Sequence, residues 1–187
     1  AYTWMMAGNA KPLSVNISGA SLVSADFGHR VRHLMDAHHL PRSAITLELT
    51  EVSPIPDVDA VRENARILLD SGIHLSLDDF GSGYSGLTVL ARFHFAEVKI
   101  DQGMVALIAQ PRMKSAIQLA MESAQRYGAT FVAEGVETQA QSDTLAAMGI
   151  DRGQGYLFAE ALSIEALITY DKTGQLPAKA KTLTASE

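Results

Sequence analysis

Five short apolar runs of strand type, each ending in or interrupted by polar groups, constrain this chain more than any other feature. They span residues 13–15 ending at Asn16, 45–47 at Glu48, 73–77 at Asp78, 95–100 around Lys99 and Asp101, and 130–133 at Glu134. Stretches of helical character separate them. Strand and helix in alternation imply a parallel sheet, whose strands all point their C-terminal ends the same way. Acidic residues at those ends gather on one face, however far apart they lie in sequence. That face is where α/β proteins build their sites.

Apolar periodicity and helix stops place the helices. One is expected over residues 21–38, with Leu22, Phe27, Val31, Leu34 and Met35 on one side and a stop before Pro41. Others are expected over 57–70 with Gly72 as the stop, over 85–93, over 112–127 ending at Gly128, over 138–148 before Gly149, and over 163–170. A last strand is expected over 154–158. Residues 1–6, followed by Gly8, read as the final turn of a helix, so the chain is expected to begin part-way through a domain. The domain is read over 1–173, and 174–187 as a polar tail without apolar periodicity.

The strand count falls two short of a (β/α)8 barrel, and 187 residues fall short of the roughly 250 such a barrel needs. Functional groups at nearly every strand end favour the barrel over an open sheet, whose site concentrates at one crevice. The expected fold is therefore α/β, a TIM-like barrel lacking its first two strands in this chain. A hydrophobic content of 47% suits a packed core. Net charge of −6 argues against duplex nucleic acid or a membrane surface as partner. No apolar run is long enough to span a bilayer. The absence of cysteine excludes disulfides and thiolate metal sites and suits a reducing compartment. The expected location is the cytoplasm, alone or as the cytoplasmic part of a larger membrane-anchored protein.

Read singly, the polar motifs keep two readings each. Asp78-Asp79 enters a glycine-rich loop, Gly81-Ser82-Gly83. Strand side chains alternate, so both carboxylates share a site only if the backbone turns there, and adjacent carboxylates in one site call for cations. Helix capping is the alternative. Glu48 closes an apolar strand, where a carboxylate must be paired or metal-bound. Asn16 is either a neutral oxygen ligand or a turn residue. Lys99 and Asp101 point to the same side by period two, as site residues or as a surface ion pair. Glu134 lies inside a strand end, where capping is not available, whereas Glu137 and Thr138 could cap the next helix. Gln154 brings an amide into the last strand, beside a Gly155 that permits close approach of a ligand or a neighbouring backbone. The six histidines show no recurring metal spacing and read as surface residues.

In succession the motifs are far more specific. Val-Asn-Ile-Ser (15–18), Glu-Leu-Thr-Glu (48–51), Asp-Asp-Phe-Gly-Ser-Gly-Tyr-Ser (78–85), Val-Lys-Ile-Asp (98–101), Ala-Glu-Gly-Val-Glu-Thr (133–138) and Gln-Gly-Tyr (154–156) resemble the EAL domain family in order and spacing. The resemblance implies a modified (β/α)8 barrel that hydrolyses cyclic-di-GMP to linear pGpG with two Mg²⁺ or Mn²⁺ ions. It implies Asn16, Glu48 and Asp78 as ligands of a first metal. Asp78 would bridge to a second, which also involves Asp79 and Glu134 and is supported by Asp101. Lys99 would contact the attacking water or the scissile phosphate, so the catalytic set is Glu134, Lys99 and Asp79. Glu51 would anchor the loop carrying Gly81, Ser82 and Gly83, and Glu137 and Gln154 would stand near the substrate. Homodimers and an attached sensor or diguanylate cyclase domain are the implied assemblies.

The chemistry is consistent with that set. Hydroxide attack on a phosphodiester brings negative charge towards negative charge, and two hard cations lower the pKa of a bridging water while neutralising that charge. Oxygen ligands without Cys or recurring His select Mg²⁺ or Mn²⁺ over Zn²⁺. Two departures stand out. The Glu-Ala-Leu signature, whose Glu is a first-metal ligand in the family, is absent from this stretch together with the Arg after it. Ala161 replaces the usual Pro. A silent cyclic-di-GMP receptor and a protein-interaction module are the alternative functions.

Overall fold

The computed structural model describes residues 12–50, 58–83, 86–150 and 152–173. Five strands, β1 (Leu13–Ile17), β2 (Ile45–Thr50), β3 (His74–Phe80), β4 (Glu97–Ile100) and β5 (Thr130–Ala133), form one sheet. Every neighbouring pair is parallel, and the spatial order is the sequence order, β1-β2-β3-β4-β5. A doubly wound sheet reverses its order at a switch point. Progression in one direction is the winding of a barrel wall. A single parallel bridge between Ala133 and Gly153 continues the progression.

Register divides the sheet into two chemically different faces. Leu47, Leu75 and Val15 share one row, and Leu49 and Leu77 the next, with Val98 and Phe131 following in line. These leucines, with Val98, Ile100, Phe131 and Ala133, belong to one buried hydrophobic cluster with Val61, Leu68, Leu90, Ile117 and Ala124 from the helices. Burying each large aliphatic side chain contributes about 1.5–3 kcal/mol before conformational entropy is subtracted. The opposite face carries Asn16, Glu48, Ser76, Asp78 and Lys99. The face turned to the helices holds the fold, and the polar face is left for chemistry.

The helices are α1 (Gly19–Val23), α2 (Phe27–Ala37), α3 (Asp59–Asp70), α4 (Gly86–Arg92), α5 (Gln102–Ala106), α6 (Pro111–Arg126), α7 (Gln139–Ala147) and α8 (Ile164–Thr173). The single helix expected over 21–38 is two. Ser18 caps α1, whose C-cap Ser24 is extended, and Asp26 ahead of α2 takes a left-handed φ of 60°. Buried Asn64 of α3 repairs this break. Its Nδ2 donates to the carbonyls of Leu22 (2.7 Å) and Ser24 (3.0 Å), and its Oδ1 accepts from the Gly28 N–H at 2.9 Å. The periodicity of Leu22, Val31 and Met35 was insensitive to this interruption because both pieces bury the same side.

Three further differences concern the site. Strands β1, β2 and β3 run through their polar residues, so Asn16, Glu48, Asp78 and Asp79 are strand residues, whereas β5 ends at Ala133 and Glu134 follows it instead of lying inside the strand end. Helix α5 was not expected; Asp101 leaves β4 and becomes its N-cap, accepting from the Gly103 N–H at 2.8 Å. The strand expected over 154–158 is instead the bridge at Gly153 and a turn in which the Phe158 and Ala159 N–H groups donate to the Gly155 carbonyl. Gly155 has φ of 153°, and a Cβ there would lie 2.3 Å from both the N and the O of Val136. The close approach this glycine permits is thus to a neighbouring backbone. The helix end over 1–6, Glu51, and the tail over 174–187 lie outside the described residues.

Asn64→Ala strands a buried donor and two acceptors. It is expected to lower the unfolding free energy by about 2–4 kcal/mol. A shifted denaturant midpoint with an unchanged slope measures the loss; a midpoint equal to that of the parent removes Asn64 from its clasping role.

Candidate active site

Lys99 stands at the centre of the polar face. Its neighbours Val98 and Ile100 are fully buried on the helix side, which fixes its direction by strand alternation. Only 6% of its side chain is exposed. The ammonium lies 3.1 Å from Glu48 Oε1, 3.2 Å from Asp78 Oδ1 and 2.5 Å from Glu134 Oε1. These partners come from β2, β3 and the end of β5. Burial disfavours the ammonium, but the carboxylates of Glu134, Asp78 and Glu48 outweigh it and hold Lys99 well above its ordinary range. The surface-pair reading of Lys99 therefore gives way to a buried network, and Glu48 has the paired environment its burial requires.

Asp79 reaches the same place by a backbone device. In an undisturbed strand it would face away from Asp78. Register with β4 shifts between Leu77 and Phe80, and Asp79 takes a left-handed φ of 55°. The bulge re-aims the second carboxylate, and aspartate tolerates this conformation better than most residues. The backbone thus turns already at Asp79, two residues before Gly81, which itself takes a φ of 97°. Beyond it, Ser82 N–H closes on the Asp79 carbonyl at 3.0 Å, and the exposed segment from Gly81 to Gly83 leads away.

Carboxylate oxygens of Asp78, Asp79 and Glu134 lie within 4.8 Å of one another. Two oxygens on one Mg²⁺ at about 2.1 Å are at most about 4.2 Å apart, so small side-chain movements close this group on a cation. Burial raises the Glu134 carboxyl above its ordinary range, and the charges of Asp78 and Asp79 add to that against the opposing bond from Lys99. Gln154 donates through Nε2 to Glu134 Oε1 at 2.6 Å, so this oxygen accepts from both the amide and Lys99. Beside Lys99, Asp78, Asp79 and Glu134 present a cluster of carboxylate oxygens. That donor set fits a hard divalent cation.

A cavity of about 450 Å³ opens beside the group, lined among others by Asp79, Glu134, Glu137, Gln154, Tyr156 and Glu160. Glu137 is exposed at its rim, next to a capping box between Thr138 and Gln141. Helix α5 borders both sides of the acidic group. A Cβ at Gly81 would collide with Met104 Sδ at 2.2 Å, and one at Gly135 with Gln102 Cβ at 2.5 Å. Asn16 pairs in register with Glu48 but is exposed on β1. All six histidines are exposed.

Tyr156, Glu160 and Gln102 were missed by sequence reasoning. Tyr156 lies in the segment read as a strand over 154–158, and Glu160 just beyond it. A turn after Gly155 turns both to the cavity. Ser76 was missed as well; it is fully buried between Glu48 and Glu97 in register, with Oγ 3.4 Å from Glu97 Oε1.

Comparison with known proteins agrees with this geometry. The chain is similar to MucR of Pseudomonas aeruginosa, a bifunctional diguanylate cyclase/cyclic di-GMP phosphodiesterase, with 35% identity over 167 residues, 88% of this chain and 24% of that protein. The crystal structure of the EAL domain of Mycobacterium smegmatis DcpA matches with a TM-score of 0.87 and 31% identity, over 94% of this chain and 80% of that one. Klebsiella pneumoniae BlrP1, in a manganese/cyclic-di-GMP complex, matches with a TM-score of 0.77 and 30% identity, over 85% and 42% of the two chains. The chain spans 20%, 41% and 24% of the first curated relatives it matches, less than half of each. The parallel sheet thus forms part of a TIM-like barrel of EAL type. The model of the EAL domain covers residues 2–161, and with the barrel wall and the carboxylate group at its strand ends this makes the chain a member of the EAL domain family.

Proposed function

We propose that this chain hydrolyses cyclic-di-GMP to linear pGpG using two Mg²⁺ or Mn²⁺ ions. The observation that carries the reading is the convergence of Asp78, Asp79 and Glu134 on one point beside Lys99. The named activity of MucR and the manganese and cyclic-di-GMP in the BlrP1 complex support it. Asn16, Glu48 and Asp78 would hold a first ion, and Asp78, Asp79 and Glu134 a second, with Asp101 supporting it from the cap of α5. The ions supply charge neutralisation and a more acidic water when bound.

The residues do the rest. Glu134, fixed through Oε1 by Lys99 and Gln154, orients the attacking water and takes its proton. Lys99 presents positive charge to the water or to the phosphate as negative charge grows on phosphorus. The P–O bond opposite the attacking oxygen breaks, and the ring opens to pGpG. Gln154 and Glu137 border the substrate in the cavity, and Gly81, Ser82 and Gly83 support its edge, with Glu51 as the anchor of that loop. The domain works over residues 1–173 in the cytoplasm, as a homodimer or joined to a sensor or diguanylate cyclase domain. Among the described residues no helix is long and apolar enough to cross a membrane.

Incubation with cyclic-di-GMP, followed by chromatography, tests the reading. Metal-dependent pGpG, lost in EDTA, is expected. Binding without turnover would instead identify a receptor, and neither result an interaction module. Glu134→Gln is expected to reduce kcat at least ~100-fold while changing nucleotide affinity less than ~10-fold. Equal turnover in variant and parent would take Glu134 out of the chemistry.

A further inference from the structure

We propose that Lys99 is the resident counter-ion of the metal site: its ammonium holds Glu48, Asp78 and Glu134 together in the metal-free protein, and the entering divalent ion must contend with its charge. The inference rests on the metal-binding part of the reading above. It adds a role for Lys99 that does not involve the substrate.

Three observations carry it. The ammonium contacts carboxylates on β2, on β3 and just past the end of β5, at 3.1, 3.2 and 2.5 Å. All four side chains are enclosed, with 6% of Lys99 exposed and 8%, 13% and 15% of Glu48, Asp78 and Glu134. Lys99 cannot withdraw to water, because β4 is pinned on both sides of it by the fully buried Val98 and Ile100. Surface ion pairs are weak because solvent screens them and the side chains are free to leave. Neither escape exists here. Three enclosed carboxylates without a cation repel one another and lose their hydration, so the fold itself requires a positive charge at this point.

A divalent ion placed among Asp78, Asp79 and Glu134 supplies that charge a second time, within a few Å of the ammonium. Lys99 and the ion therefore stabilise the same carboxylates and repel each other. The lysine makes the empty site tolerable and weakens the filled one. By mutual linkage, removing the ammonium should destabilise the metal-free protein and tighten its hold on metal. Lys99 acts here as a positioning residue, through the carboxylates it gathers.

The test compares the parent with Lys99→Met and Lys99→Arg by thermal unfolding, in EDTA and across a Mn²⁺ titration with no nucleotide present. In EDTA, Lys99→Met is expected to melt about 6–12 °C below the parent, and Lys99→Arg, which keeps the charge, to recover most of that loss. Mn²⁺ should raise the melting temperature of Lys99→Met more than that of the parent, with at least ~10-fold tighter Mn²⁺ affinity by calorimetry. An equal deficit in EDTA and in Mn²⁺ would mean a merely structural lysine and overturn the proposal. So would a metal-free Lys99→Met as stable as the parent. If Lys99→Met does not fold in EDTA, adding Glu48→Gln should restore folding by removing one repelling charge; no restoration overturns the counter-ion role. A parent that ignores Mn²⁺ sinks the metal reading and the competition with it, while the EDTA comparison still decides the counter-ion role.

Discussion

A positive charge enclosed by carboxylates is the constraint from which the rest of this molecule can be read. Lys99 has to be on an inner strand, because only there do β3 on one side and the end of β5 on the other bring Asp78 and Glu134 within reach, with Glu48 reaching in from β2. Its strand has to be held rigidly, because a long cationic side chain otherwise finds water. The buried rows of leucine, valine and phenylalanine on the opposite face provide that rigidity. Core and site are two sides of the same five strands.

The second requirement is to place adjacent carboxylates on one side of a pleated strand. Regular alternation forbids it. The sheet gives up regular pairing between Leu77 and Phe80, and Asp79 adopts a conformation that few side chains tolerate. Such local costs persist only where surrounding structure determines them, and they cluster at functional sites. Here the reward is a close group of oxygens from Asp78, Asp79 and Glu134, suited to hard cations.

Fold class and winding were legible because both rest on periodicity. Apolar runs of period two with helical stretches between them admit little besides a parallel sheet. The enclosed position of Glu48 was legible for a related reason, since a carboxylate closing an apolar strand demands a partner, whereas Lys99, Asp78 and Glu134 were singled out only by the succession of motifs. What escaped was whatever depends on a single dihedral angle or a single close contact. The break before α2 turns on Asp26 and is concealed by Asn64, a residue distant in sequence that supplies the missing hydrogen bonds. A turn stands where a strand was expected over 154–158, with Gly155 so close to Val136 that no Cβ fits, and Tyr156 was missed with it. Asp101 followed the capping preference of the next helix instead of the alternation of its strand.

Helix α5 has a mechanical meaning that its five residues do not suggest. Met104 rests against the glycine after the two aspartates, and Gln102 against the glycine after Glu134. No side chain larger than hydrogen fits at either glycine without displacing the helix residue beside it, so the seating of this short helix and the two loops that follow the carboxylates are coupled through these two positions.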